Sequence, residues 1–156
     1  MPTTRLSIVG LAVLGVVSLG ACSSSTKPTA ATPAPVPAAA AAAAANVSGS
    51  LDAADQSSDG KTITVKTVNI KGASGFIAIH ADLSGKPGPV VGHAAIPEGD
   101  SSNVVVTLDA PVATGAFWPM VHLDAGKIGT YEFPGPDVPV KSGSDIVMKK
   151  IALTVS

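Results

Sequence analysis

The chain has a single cysteine among 156 residues, which excludes an intrachain disulfide and any multi-cysteine metal cluster. Aromatic side chains make up only 3% and charged ones 13%, and every aromatic lies between Phe76 and Phe133. There is no excess of positive charge where a domain can form. Residues 47–156 hold 8 basic and 11 acidic side chains, a formal −3, and a basic groove for nucleic acid is not expected. No Gly-x-Ser-x-Gly elbow occurs, and no glycine-rich phosphate loop; the glycines fall at turns. No window shows a helical period. The apolar run at residues 6–19 has 14 residues, whereas a spanning helix needs about 20.

What the chain does have begins with an address. Arg5 precedes the run Leu6 to Leu19, the layout of a secretory signal: a positive start and a short hydrophobic segment. Leu19-Gly20-Ala21-Cys22 follows. This tetrapeptide resembles the lipobox of bacterial lipoproteins. The resemblance implies cleavage between Ala21 and Cys22 and transfer of a diacylglycerol to the Cys22 thiol. Lipid burial is worth about 0.8 kcal/mol per CH₂, so two or three long acyl chains hold a protein on a membrane. Residues 1–21 are therefore read as a lipoprotein signal peptide. The expected location is the extracytoplasmic face of the cell membrane, through a lipid anchor.

Residues 22–46 read as a linker. Pro28, Pro33, Pro35 and Pro37 favour an extended path, and eight alanines end it at residues 38–45. Isolated helices below about 12 residues are marginal in water, and large apolar groups to order the segment are lacking. Ser24-Ser-Thr-Lys27 formally matches a Ser-x-x-Lys motif, but nothing in a linker holds the lysine against the serine. Asn46-Val-Ser48 is a formal glycosylation sequon, read as unmodified.

Residues 47–156 form one domain by length, and their pattern is β. Asp59-Gly60 is a turn signal, and Thr62 to Ile70 alternates. Ile63 and Val65 share one parity, Val68 and Ile70 the other, which predicts a bulge near Lys66 and Thr67. Gly75 to Ala81 is apolar on both faces, as in a central strand. Val90 to Ile96 and Asn103 to Leu108 follow. Phe117 to Leu123 is a strand that Pro119 assigns to an edge or a bulge. Parity there puts Phe117 with Val121 and Leu123, and Trp118 with Met120 and His122. Phe117 is thus expected buried and Trp118 at least partly exposed. Gly129 to Phe133 is expected to pair back on this strand through an Asp124-Ala-Gly126 turn. Ile151, Leu153 and Val155 face inward on the last strand. Seven or eight short strands predict an all-β fold, a two-layer antiparallel sandwich of immunoglobulin-like or cupredoxin-like Greek-key type.

Asp55-Gln56, Asp59-Gly60, Thr62-Ile-Thr-Val65, Gly75-Phe-Ile-Ala-Ile-His80, His122-Leu-Asp124 and Tyr131-Glu-Phe133 together resemble a domain of unknown function. It is found in envelope and surface proteins of bacteria and archaea. The likeness spans residues 50–155. It implies a β-sandwich and an extracellular location, and brings no catalytic residue.

The chemistry-bearing residues are few. His80, His93 and His122 each lie on or beside an expected strand, and three imidazoles suit zinc or copper. Met120-Val-His122 puts a thioether and an imidazole on one face, compatible with copper. A blue-copper centre needs a thiolate in the fold, and Cys22 lies outside it. Beyond Cys22 only Met120 and Met148 supply thioethers. Asp124-Ala-Gly126-Lys127 has too few oxygen ligands for calcium and reads as a hairpin turn.

The expected protein is therefore a membrane-anchored envelope lipoprotein displaying a non-catalytic β-sandwich with a binding or structural role. It has no cofactor. Its candidate contact patch is Trp118, Met120 and His122, and its partner is an envelope protein or a small ligand. The alternative is an envelope protein binding copper or zinc through His80, His93 and His122. That alternative fails if no two imidazoles come within about 5 Å, because metal–nitrogen bonds are near 2.1 Å.

Overall fold

The computed structural model describes residues 46–156. The expected signal peptide, the expected cleavage and lipidation site at Ala21–Cys22, and the expected linker up to residue 45 lie outside the described residues.

Ten strands follow one another: β1 (Ser48–Asp52), β2 (Gln56–Ser58), β3 (Thr62–Lys71), β4 (Gly75–Leu83), β5 (Lys86–Ile96), β6 (Gly99–Thr107), β7 (Gly115–Leu123), β8 (Lys141–Ser142), β9 (Asp145–Ile146) and β10 (Ile151–Val155). They form a three-stranded sheet, β1-β3-β6, and a five-stranded sheet, β2-β10-β7-β4-β5; β8 and β9 make a small hairpin. Pairing is antiparallel except between β2 and β10. The fold is the expected all-β sandwich. Its core lies between the sheets: Ile63, Val65, Val68, Ile70 and Val106 meet Ile77, Ile79, Phe117, Val121, Leu123, Ile151 and Leu153. Burying each such side chain fully contributes about 1.5–3 kcal/mol.

The parity change in β3 falls where expected, with Lys66 and Thr67 both exposed. It is not an inserted residue. The register against β6 is the same on both sides, Val65↔Val104 and Thr67↔Ser102. The rung between them opens instead, and its β6 member, Asn103, has φ of 52°.

Two expectations for the second half are overturned. β7 is an interior strand, not an edge, with β4 on one side and β10 on the other. Pro119 is accommodated by an interruption. The ladder toward β10 holds at Phe117↔Ile151, lapses, and resumes in the same register at Met120↔Met148. The Pro119 carbonyl still accepts from the Lys149 N–H at 3.0 Å, so only the donor that proline lacks is missing. Gly129 to Phe133 is a loop, not a strand. Carboxylates take the backbone donors a ladder would have used: Asp124 accepts from Gly129 N–H at 2.9 Å, and Asp137 from Glu132 N–H at 2.7 Å. The place beside β7 goes to residues 138–148, with Leu123 N–H donating to the Val138 carbonyl and Val140 N–H to the Val121 carbonyl.

A candidate metal site on the outer face of the large sheet

Adjacent strands β4 and β7 have two faces of different chemistry. One face sends Ile77, Ile79, Phe117, Val121 and Leu123 into the core. The other carries Phe76, Ala78 and His80 on β4 and Trp118, Met120 and His122 on β7, in the register Phe76↔His122, Ala78↔Met120, His80↔Trp118. The two histidines thus stand one rung to either side of Ala78–Met120. Their imidazoles reach toward each other along the face. The Nε2 atoms are 3.4 Å apart and the ring planes 19° from parallel. Both residues are buried, His80 at 3% exposure and His122 at 0%.

The surrounding backbone fixes each ring by its other nitrogen. His80 Nδ1 lies 2.7 Å from the Gly88 carbonyl oxygen. That carbonyl is brought in by irregular pairing: β5 slips register against β4 at Ile79/His80 and again at His80/Asp82, as bulges do where a strand must re-aim a group. Gly88 is needed there, since a Cβ would come within 2.9 Å of the Ala81 carbonyl oxygen and of the Leu83 Cβ. His122 Nδ1 lies 2.8 Å from the Asp137 carbonyl oxygen. Asp137 is itself buried, and its carboxylate accepts from Ala125 and Glu132 N–H groups at 2.9 and 2.7 Å. One residue thus ties down the 125–137 loop and aims the His122 ring.

A carbonyl can only accept, so both Nδ1 atoms carry the proton and donate. In a neutral ring Nε2 is then a lone pair. Burial lowers the His122 pKa to about 4 despite its bond to Asp137, and the neighbouring His80 adds to the fall. Burial also lowers His80, opposed by its bond to Gly88. At neutral pH two lone pairs therefore face each other across 3.4 Å. Neither satisfies the other; a cation between them would satisfy both. Two nitrogens bound at about 2.1 Å to a tetrahedral ion are separated by about 3.4 Å. The donation of the remote N–H to a backbone carbonyl is the usual support for a metal-bound imidazole.

Phe133 packs edge-on against both rings, with centroids 5.9 Å from His80 and 4.6 Å from His122. Beside it opens a cleft of about 510 Å³ lined by His80, Gly88, Met120, Phe133, Ile146 and Met148, among others. Met120 is buried and Met148 is 37% exposed. Among the described residues no cluster of three or more His, Cys, Asp or Glu side chains could hold a metal. Any further protein donors to the histidine pair must be of another kind.

The structure divides the three sequence candidates for a metal. His80 and His122 meet; His93 does not join them. His93 is exposed on β5 and stacks on Tyr131, centroids 4.5 Å apart, while Tyr131 also packs edge-on against His122 at 5.6 Å. The Tyr131 hydroxyl oxygen is buried without a hydrogen-bond partner, and burial, with the Asp137 charge, raises its pKa. Of the candidate contact patch, Met120 and His122 are buried. Only Trp118 reaches solvent, half-buried, its Nε1–H donating to Asp82 at 2.9 Å. Phe117 is buried at 5%. Asp124 forms a turn: its carboxylate accepts from Gly129 N–H and from the Ser74 hydroxyl at 3.2 Å. Sequence reasoning missed the supporting residues Gly88, Asp137 and Phe133. Pro134-Gly-Pro-Asp137 was the one available signal, a rigid turn ending in a carboxylate.

The fold and this face define an all-β domain with a pair of buried histidines outside its main core. The chain belongs to the domain of unknown function DUF7282, whose match covers residues 49–154. No curated protein and no solved structure matches the chain significantly.

Proposed function

We propose that the domain is a metal-binding module of the cell envelope, in which His80 and His122 hold one transition-metal ion through their Nε2 atoms. The observation that carries this reading is the convergence of two buried, oppositely anchored imidazoles at 3.4 Å. The domain binds and does not catalyse; it takes no organic cofactor and no nucleic acid.

The test is titration of the purified full chain with Zn²⁺ or Co²⁺ against a competing chelator dye. One ion per chain is expected. A His80→Ala, His122→Ala double variant should lose at least about 100-fold in affinity, since removal of even a supporting partner costs about 10–100-fold. His93→Ala should bind as wild type does. Failure to bind either of these ions or, under anaerobic conditions, Cu⁺, or dependence on His93, overturns the reading.

The second part of the reading is the anchor, supported by Leu19-Gly-Ala-Cys22. The module is held on the outer side of the membrane by acyl chains on Cys22, with the 22–46 segment as spacer, where it can meet an envelope protein or a small ligand. Cys22→Ser should release the protein from membranes or leave the precursor uncleaved. Mass spectrometry finding unmodified Cys22 in fully membrane-bound protein would refute the anchor.

A further inference from the structure

The geometry points to monovalent copper as the ion, with the thioethers of Met120 and Met148 completing a two-nitrogen, two-sulfur set. This rests on the histidine pair being a metal site and names its metal class.

The first argument is position. Met120 lies on the same face of β7 as His122 and on the rung between the two histidines. Met148 is bridged directly opposite Met120 across the interrupted ladder. Residues directly opposite in an antiparallel pair send their side chains to the same face. Both methionines line the cleft that His80 also lines. Ala78 shares the central rung with Met120, and its small side chain leaves room for groups to lean in from both sides.

The second argument is charge. Imidazole and thioether are neutral donors. The nearby carboxylates are committed elsewhere: Asp137 to Ala125 and Glu132 N–H groups, Asp124 to Gly129 N–H and Ser74. An ion in this place keeps its whole charge in a low-dielectric setting under Phe133. The penalty for burying an ion scales with the square of its charge, so a divalent ion suffers about four times what a monovalent one does. Many zinc sites offset this with thiolate or carboxylate ligands; here the two nearby carboxylates, Asp124 and Asp137, are already engaged. Soft thioethers select Cu⁺, and imidazole accepts it.

The third argument is access. Met148 is partly exposed while Met120 and the histidines are buried. The sulfur donors thus run from the cleft mouth inward, a path along which an incoming Cu⁺ exchanges one soft ligand for the next.

The test is anaerobic competition for Cu⁺ between the full chain and a chromogenic Cu⁺ chelator, run beside the Zn²⁺ titration. Met120→Leu and Met148→Leu are close to volume-conserving, and circular dichroism checks that they fold. Each should weaken Cu⁺ binding at least about tenfold, and the pair about 100-fold or more, with Zn²⁺ affinity changed by less than about threefold. X-ray absorption of the Cu⁺ form should show two sulfur and two nitrogen neighbours. Cu⁺ affinity untouched in the double methionine variant, or a copper spectrum without sulfur, overturns this inference while the histidine site stands. A wild-type chain that binds neither Zn²⁺ nor Cu⁺ overturns both.

Discussion

The two faces of the β4–β7 pair are made from alternate residues of the same two strands, yet they are chemically unlike. The inner face is aliphatic apart from Phe117 and closes against the smaller sheet. The outer face carries two imidazoles, a thioether, an indole and a phenyl ring, and a loop closes over it instead of a sheet. Both faces are dry near the middle, so the strands read as apolar throughout. The difference lies in what covers each. A sheet supplies side chains of fixed shape and satisfies its own backbone. The 124–148 segment supplies carbonyls and carboxylates, and these can aim polar rings. Burial alone therefore does not distinguish core residues from the proposed ligands here; the hydrogen bonds of the covering layer do.

The sharpest way to break this contrast is to truncate one residue on each face. Phe117→Ala removes a large ring from the inner face, 5% exposed, and should cost about 3–5 kcal/mol. That is a large share of the stability of an ordinary domain. Urea unfolding measures it. Cobalt or copper affinity, read at a temperature where the variant is folded, should stay near wild type. A metal defect as large as the stability defect would mean that the faces are not separable.

A second substitution probes the covering layer. Asp137→Ala removes the acceptor for the Ala125 and Glu132 N–H groups. A fully buried donor left unpaired costs about 1–3 kcal/mol, and these two, only partly buried, cost less. The loop should loosen and the Asp137 carbonyl should lose its fixed place against His122, so stability and metal affinity should fall together. Hydrogen exchange at Ala125 and Glu132 reports the first loss and chelator competition the second. Asp137→Asn keeps one acceptor oxygen and should recover part of both.

Acid sharpens the comparison without mutation, because of the two faces only the outer one carries imidazoles. Folded His122 has a pKa lowered to about 4 from an ordinary 6.5, so between these values the unfolded chain binds the extra proton. Stability then rises with pH: the full contribution is present above about 6.5 and is lost as pH falls toward about 4. At about 1.4 kcal/mol per unit the loss is about 3 kcal/mol. His80, also lowered, acts in the same direction. Thermal melts of the metal-free protein should show the decline, and His122→Phe should flatten it. A bound ion should move the decline to lower pH, since proton and metal compete for the same Nε2.

Much of the fold was legible because alternation is a local signal. Ile63/Val65 and Val68/Ile70 disclose both the inner face of β3 and the place where its parity changes. The shared face of Met120 and His122 was legible for the same reason. The meeting of His80 with His122 was not: they are 42 residues apart, and parity does not say that β4 and β7 are neighbours. His93, on a strand of similar pattern, could not be told from a ligand until the β5 register placed it against Tyr131. Tyr131-Glu-Phe133 alternates like a strand and misled for want of its partners, since Asp124 and Asp137 claim the loop's backbone donors from a distance in sequence. Pro119 marked an edge or a bulge by a sound rule, but the interruption that accommodates it, with no change of register, is set by how the chain at Met148 returns.

The smallest expected effect belongs to Trp118, which occupies the outer face but not the site. It is opposite His80 in register, yet its Nε1–H is engaged with Asp82 and Lys150 Nζ lies 5.2 Å from its ring centroid. Lys150 also pairs with Asp82 at 3.1 Å. These contacts form a half-exposed cluster beside the site. Solvated pairs of this kind contribute little to stability. Trp118→Phe should therefore lower stability by about 1 kcal/mol and change Cu⁺ and Zn²⁺ affinity by less than about twofold. As the only tryptophan in the chain, Trp118 also serves as the reporter: its emission should respond to His80→Ala more than to the inner-face change Ile77→Val. If Trp118→Phe instead weakens metal binding as much as a methionine variant does, the outer face acts as one cooperative unit, and the division between site and surround drawn from the hydrogen bonds is wrong.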